Sequence, residues 1–151
     1  METTADNRRV FIDTNILIYA SINKSPFYQP AQNALRNLEQ EEAELVISRQ
    51  VLREYLASMS RPNTLTKELP RTSIIQDIRT FEEDFTVLND GPEVTAKLLE
   101  LAESIDVSGK QIHDANIAAT MLVNDVFELL THNVSDFKRF RQYIKVSPLV
   151  A

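Results

Sequence analysis

Two kinds of hydrophobic pattern alternate along this chain. Short runs of consecutive apolar residues predict buried strands, and longer stretches with apolar residues every three or four positions predict amphipathic helices. The predicted strands occupy residues 10–12, 45–47, 85–88, 126–130 and 144–146. The predicted helices occupy residues 16–20, 26–42, 48–60, 70–81, 92–104, 110–123 and 136–143. Because strands alternate with helices, we predict an α/β fold with a four- to five-stranded parallel sheet and helices on both of its faces.

Acidic residues occur where several of these elements meet. Asp13 directly follows the first strand, and Glu54 lies in the second turn of the helix after the second strand. Asp114 lies near the start of the helix that precedes the fourth strand, and Asp136 follows that strand after a short loop. In a parallel sheet the strands end, and the following helices begin, at one edge. We therefore expect carboxylates from four distant parts of the chain to converge there.

The chemistry of such a group is that of a metal site. Converging carboxylates repel one another unless some of them bind protons or a cation, and an all-oxygen set of ligands favours Mg²⁺ or Mn²⁺. The chain has no cysteine, and His113 and His132 are too few for a histidine-rich zinc site. Its two glycines exclude the glycine-rich loops that bind nucleotide phosphates. Since Mg²⁺ and Mn²⁺ activate water and stabilise phosphodiester displacement, the acids predict metal-dependent phosphodiester hydrolysis.

Each acid also has a structural interpretation. Asp13 and Asp136 could cap the helices that follow them. Asp114 could be a helix N-terminal charge that the helix dipole stabilises, and Glu54 could lie on a solvated helix face. The convergence of all four favours the functional interpretation.

Composition limits the kind of protein further. The 151 residues suffice for a substantial core, so we expect one domain over residues 1–151, with a flexible N-terminus over residues 1–8. A net charge of −6 argues against holding nucleic acid by bulk positive charge, although a local basic rim is compatible with it. No apolar run approaches the length of a membrane span, and the polar N-terminus lacks the apolar segment of a secretory signal. We expect a cytoplasmic protein that does not bind membranes.

Four motifs resemble those of the PIN-domain ribonucleases, and among these the VapC-like toxins of type II toxin–antitoxin pairs. In chain order they are FIDTN at residues 11–15, SRQVLREY at 48–55, IHDANIAA at 112–119 and LTHNVSDF at 130–137. Together they span nearly the whole chain. The resemblance implies a three-layer α/β/α sandwich and an endoribonuclease that depends on Mg²⁺ or Mn²⁺.

The resemblance also implies roles for individual residues. Metal-binding or catalytic roles fall on the four converging acids, which are Asp13, Glu54, Asp114 and Asp136. The fourth acidic position is the least uniform in the family. Asn15 and Thr131 match positions that support the acids by hydrogen bonds, and Asn133 is a further participant. By their location, six basic residues are candidates for positioning RNA phosphates: Arg49, Arg53, Lys110, Lys138, Arg139 and Arg141.

The resemblance further implies RNA as the substrate, a cognate antitoxin protein as a partner, and a homodimer. The main rival hypothesis is a PIN fold that binds RNA or protein without catalysis, and four mutually repelling carboxylates argue against it. A second rival is a phosphatase of the haloacid dehalogenase type. Such an enzyme needs another Asp two residues after Asp13, where this chain has Asn15.

Overall fold

The computed structural model describes residues 8–62 and 69–150 of the chain. Within these ranges the strands are β1 (Arg9–Ile12), β2 (Glu44–Ser48), β3 (Thr86–Leu88), β4 (Glu128–Thr131) and β5 (Lys145–Pro148). The helices are α1 (Thr14–Ser21), α2 (Tyr28–Gln40), α3 (Arg49–Met59), α4 (Arg71–Asp84), α5 (Pro92–Ser104) and α6 (Gln111–Val123), with a 3₁₀ helix at Val134–Phe140. The expected flexible N-terminus lies outside the described residues except for Arg8.

All five strands join one parallel sheet in the order β3-β2-β1-β4-β5. The predicted fold class is therefore confirmed. Because crossovers between parallel strands are right-handed as a rule, connections that lead outward from β1 in opposite directions place their helices on opposite faces of the sheet. Helices α1 to α4 contact one another on one face, and α5, α6 and the 3₁₀ helix do so on the other. No helix in the described part of the chain is long and apolar enough to cross a membrane.

The central strand β1 is buried on both faces. Val10, Phe11 and Ile12 are at most 1% exposed, as expected for an apolar run inside a parallel sheet. The pairing with β4 continues past the strand end, because the Asp13 amide donates a hydrogen bond to the Leu130 carbonyl at 3.0 Å. The most deeply buried strand thus ends in a carboxylate at the carboxyl edge of the sheet.

Two elements differ from those predicted, and aromatic packing explains both. The helix predicted over residues 70–81 continues to Asp84 as α4, and the rings of Phe81 and Phe85 pack edge to face at 5.8 Å. The segment after β4 is a 3₁₀ helix over Val134–Phe140 and not an α-helix over residues 136–143. Phe137 and Phe140 are both buried, and their spacing matches the three residues per turn of a 3₁₀ helix.

Candidate active site

Asp13 is the most deeply buried of the four predicted acids, at 6% exposure. Its Oδ1 accepts a hydrogen bond from the Thr14 amide at 2.8 Å. Its Oδ2 accepts one from the Thr131 hydroxyl at 2.7 Å and one from the Asn15 amide at 3.3 Å. Burial raises its pKa to about 6, against the lowering effect of these hydrogen bonds. Asp13 is thus the N-cap of α1 and a member of the acidic group at once, so its two interpretations are compatible.

The polar residues predicted to support the acids form a connected network. The Asn15 side chain donates to the Thr131 hydroxyl at 3.3 Å and accepts from the His132 amide at 3.1 Å. The Asn133 amide donates to the Thr131 hydroxyl at 3.0 Å, so Asn133 takes part through its backbone. Thr131 is fully buried, and the network therefore holds the ends of β1 and β4 together below the acids.

Glu54 is linked to Asp13 by Thr14, which donates a hydrogen bond to each of the two carboxylates. The Thr14 hydroxyl donates to Glu54 Oε1 at 2.7 Å, while its backbone amide binds Asp13. Glu54 Oε2 accepts a hydrogen bond from the Gln50 amide at 3.0 Å. Each carboxylate oxygen of Glu54 is therefore held by one donor.

Asp114 and Asp136 complete the group from the other face of the sheet. Asp114 is in the first turn of α6 and half-buried, and Asp136 is exposed on the 3₁₀ helix. Burial is the largest cause that raises the pKa of Asp114 to about 7, and the charges of Asp136, Asp13 and Glu54 add to it, whereas Arg139 opposes it. The charges of the other three acids thus all act on Asp114, as expected for side chains that converge at one edge.

The candidate phosphate-positioning residues divide into distinct environments. Arg49 is paired with Glu82 at 2.6 Å, and Arg53 lies 3.9 Å from Asp90. Lys110, Lys138 and Arg141 are exposed. Arg139 is half-buried and close enough to Asp114 to lower its pKa. Its Nη1 atom is buried and has no hydrogen-bond partner among the described residues.

Three polar residues at the site were not predicted, namely Thr14, Gln50 and Asn116. Gln50 and Glu54 are four residues apart on one helix, the spacing at which side chains meet. That spacing was the one signal in the sequence that could have pointed to Gln50. It is a weak signal, because a polar residue on an amphipathic helix is ordinarily a surface residue.

Oxygen atoms at this site fit a hard divalent cation by their chemistry. Asp13 uses three of the roughly four acceptor positions of a carboxylate. Asp114 accepts no side-chain hydrogen bond within residues 8–62 and 69–150. No three acidic or histidine side chains in those ranges are grouped closely enough to hold an ion together. Mg²⁺ is commonly bound through one or two carboxylates and several waters, so this spacing is compatible with it.

The fold and the acidic edge define a class of α/β/α domain with convergent carboxylates. The PIN domain family model matches residues 10–142, and the chain belongs to that family. Among curated proteins, Ribonuclease VapC24 of Mycobacterium tuberculosis is 27% identical over 131 residues, covering 85% of this chain and 89% of that protein.

Solved structures agree with the family assignment. A toxin–antitoxin complex from Klebsiella pneumoniae has a TM-score of 0.64 at 21% identity, over 93% of this chain and 97% of that one. VapC20 of Mycobacterium tuberculosis, described as a sarcin–ricin loop cleaving toxin, has a TM-score of 0.64 at 13% identity, over 92% and 99%. At these identities the likeness concerns the fold.

Replacing Asp114 by Asn should stabilise the metal-free protein in a pH-dependent way. Because the pKa of Asp114 rises from 3.8 to about 7 on folding, proton binding stabilises the folded state below pH 4, and this contribution is lost as the pH rises through 7. In EDTA, the melting temperature of Asp114→Asn should exceed that of the wild type at pH 8, and the difference should shrink towards pH 4.5.

Asp125→Asn is the matched control, because Asp125 is exposed just beyond the opposite end of α6. It should leave the melting temperature nearly unchanged at both pH values. A difference between wild type and Asp114→Asn that does not vary with pH would contradict the raised pKa of this carboxyl.

Proposed function

We propose that this protein is an endoribonuclease that depends on Mg²⁺ or Mn²⁺ and hydrolyses phosphodiester bonds of RNA. The observation that carries the proposal is the presence of four carboxylates at the carboxyl edge of a PIN-domain sheet, where burial and, after it, the charges of the other three acids raise the pKa of Asp114 to about 7. The names of the ribonuclease and the RNA-cleaving toxin described above support RNA as the substrate.

In this proposal Asp13, Asp114 and Asp136 would bind the metal, each either directly or through a water molecule on the metal, since no three of these side chains lie close enough to contact one ion together. Glu54 would either help to hold the metal or orient the attacking water. A bound Mg²⁺ or Mn²⁺ would supply Lewis acidity towards water and phosphate oxygens. Asp13 is preorganised for this role, because its three hydrogen bonds fix the carboxylate before any ligand arrives. Thr131, Asn15 and the backbone of Asn133 keep it in place.

Glu54 is suited to accept a hydrogen bond from water. Both of its oxygens keep an acceptor position beyond the bonds from Thr14 and Gln50. The charges of Asp13 and Asp114 lie nearby, since Glu54 raises the pKa of each. A carboxylate in this position can orient a water molecule towards a phosphate that the other acids face.

Purified protein should cleave RNA in Mg²⁺ or Mn²⁺, lose the activity in EDTA, and regain it when excess metal is added. Asp114→Asn should lower kcat by about 100- to 1000-fold, since removal of a group that acts on the transition state has effects of this size. Asp125→Asn should retain wild-type activity. Cleavage products can be mapped by primer extension on several structured RNAs.

The same experiment separates the proposal from its rival, a PIN domain that binds without catalysis. Binding of RNA by a well-folded protein that cleaves none of the RNAs in either metal would favour the rival. Cleavage that resists EDTA and persists in Asp114→Asn would point to a contaminating nuclease.

Arg139 is the basic residue that the structure favours for positioning a phosphate. It is half-buried, and its charge lies close enough to Asp114 to lower the pKa of that acid. An arginine can bind a phosphate through two parallel hydrogen bonds. Arg49, by contrast, is already neutralised by Glu82.

Arg139→Gln should raise KM for RNA by about tenfold or more, because one charge-assisted hydrogen bond contributes about 1.5–3 kcal/mol. Arg49→Gln is the control and should change KM little. Steady-state kinetics at several salt concentrations measure both effects, and the salt dependence of KM should weaken in Arg139→Gln. Equal effects of the two substitutions would contradict a special role for Arg139.

We further propose that the protein is a cytoplasmic toxin with a cognate antitoxin, and that it forms a homodimer. A groove between α1, α2 and α4 offers such a partner a surface of mixed polarity, in which Leu17, Ala20, Leu35, Leu45, Phe81 and Phe85 lie beside Gln32, Arg36, Glu39 and Asp84. The toxin–antitoxin complex described above shares the fold of this chain and supports a protein partner of this kind.

The product of a small reading frame adjacent to the gene should co-purify with this protein and inhibit RNA cleavage. Leu35→Glu should weaken the complex, because it places a charge among the apolar residues of the groove, whereas Leu99→Glu on the exposed surface of α5 should not. Size-exclusion chromatography with light scattering measures both the complex and the expected dimer. Undiminished binding by a folded Leu35→Glu protein would place the partner elsewhere.

A further inference from the structure

A chain of side-chain amides connects the acidic group with the two helical layers of the fold. The Gln50 amide nitrogen donates to Glu54 Oε2 at 3.0 Å and to the backbone carbonyl of His113 at 2.9 Å. The Gln50 amide oxygen accepts from the Asn116 amide at 2.9 Å. Asn116 also donates to Asp90 at 3.1 Å. Gln50 is on α3 and His113 and Asn116 are on α6, so the chain spans the carboxyl edge of the sheet.

Hydrogen-bond chemistry fixes the direction of the Gln50 amide. Asn116 presents an NH₂ group to it, which only the oxygen of Gln50 can accept. The nitrogen of Gln50 must then point towards two acceptors, the Glu54 carboxylate and the His113 carbonyl. Reversing the amide would set its oxygen against both of these oxygens and its NH₂ against that of Asn116. Gln50 is 6% exposed, so water cannot readily replace the lost bonds.

We propose that Gln50, oriented by Asn116, is a positioning residue that holds the Glu54 carboxylate at its place in the acidic group. Thr14 holds one oxygen of Glu54 from α1, and Gln50 holds the other from within α3. Thr14 alone leaves the carboxylate free to turn about a single hydrogen bond. The effect of Gln50 on catalysis rests on the ribonuclease function proposed above, whereas its effect on the position of Glu54 does not.

Gln50→Leu removes the amide that donates to Glu54, and Asn116→Asp reverses the direction of that amide. Asn116→Asp is made together with Asp90→Asn, because Asn116 also donates to Asp90 and two carboxylates at that distance would repel each other. In this double variant the new carboxylate accepts from the Gln50 NH₂, so the Gln50 oxygen turns towards Glu54, and the net charge is unchanged. Both changes should lower kcat by about 10- to 100-fold, the usual range for groups that orient the residues of a metal site, and leave KM for RNA nearly unchanged. Asp90→Asn keeps an acceptor for Asn116 and should retain activity.

The matched control is Gln29→Leu, because Gln29 on α2 donates to Asn33 at the same four-residue spacing on an exposed surface. It should change neither kcat nor KM. In a Glu54→Ala background, Gln50→Leu should cause no further loss of kcat, since it acts through Glu54. An equal loss in both backgrounds would overturn the proposal.

A second readout does not depend on cleavage. NMR relaxation of the Glu54 side chain in the metal-free protein should show greater mobility in Gln50→Leu and in the double variant than in the wild type or Gln29→Leu. Unchanged mobility in a folded variant would overturn the proposal. If the wild type cleaves no RNA but the mobility changes as expected, the proposed function fails while the positioning role stands.

Discussion

The burial of one carboxylate at the end of the central strand is the constraint on which the rest of this structure depends. Asp13 is almost inaccessible to water, and an isolated charge there would be strongly destabilising. Three hydrogen bonds reduce that cost, and they come from the start of α1 and the end of β4. Satisfying Asp13 therefore sets the angle at which α1 leaves the sheet and holds the two central strands at a common end.

The other three acids have fewer hydrogen-bond donors than Asp13. Glu54 has two donors, whereas Asp114 is half-buried without a side-chain hydrogen bond in the described chain, and Asp136 is exposed. The protein thus combines a rigid acid with acids that keep free oxygens. A cation could be attracted by the unsupported acids and bound against the rigid one, which matches the way in which preorganised sites limit the cost of binding.

Much of this arrangement could be predicted from the sequence, for identifiable reasons. The apolar run before Asp13 marks a strand buried on both faces. Residues that directly follow the strands of a parallel sheet lie together at its carboxyl edge, so the positions of the acids could be predicted as well. The length of α4 and the 3₁₀ helix could not be predicted, because they depend on where Phe85, Phe137 and Phe140 find space in the folded chain. Gln50 and Asn116 were missed because hydrogen bonds between residues 66 positions apart leave no periodic signal.

The chain of side-chain amides across the sheet edge also links the two helical layers of the fold. Helices α3 and α6 belong to opposite layers of the sandwich, and Gln50 and Asn116 tie them together at the edge where the acids lie. Any movement that separates the two layers at this edge must lengthen the hydrogen bonds that Gln50 makes with His113 and Asn116. Separation of α3 from α6 would therefore disturb Glu54 without any contact with it, so the spacing between these two helices bears directly on the site.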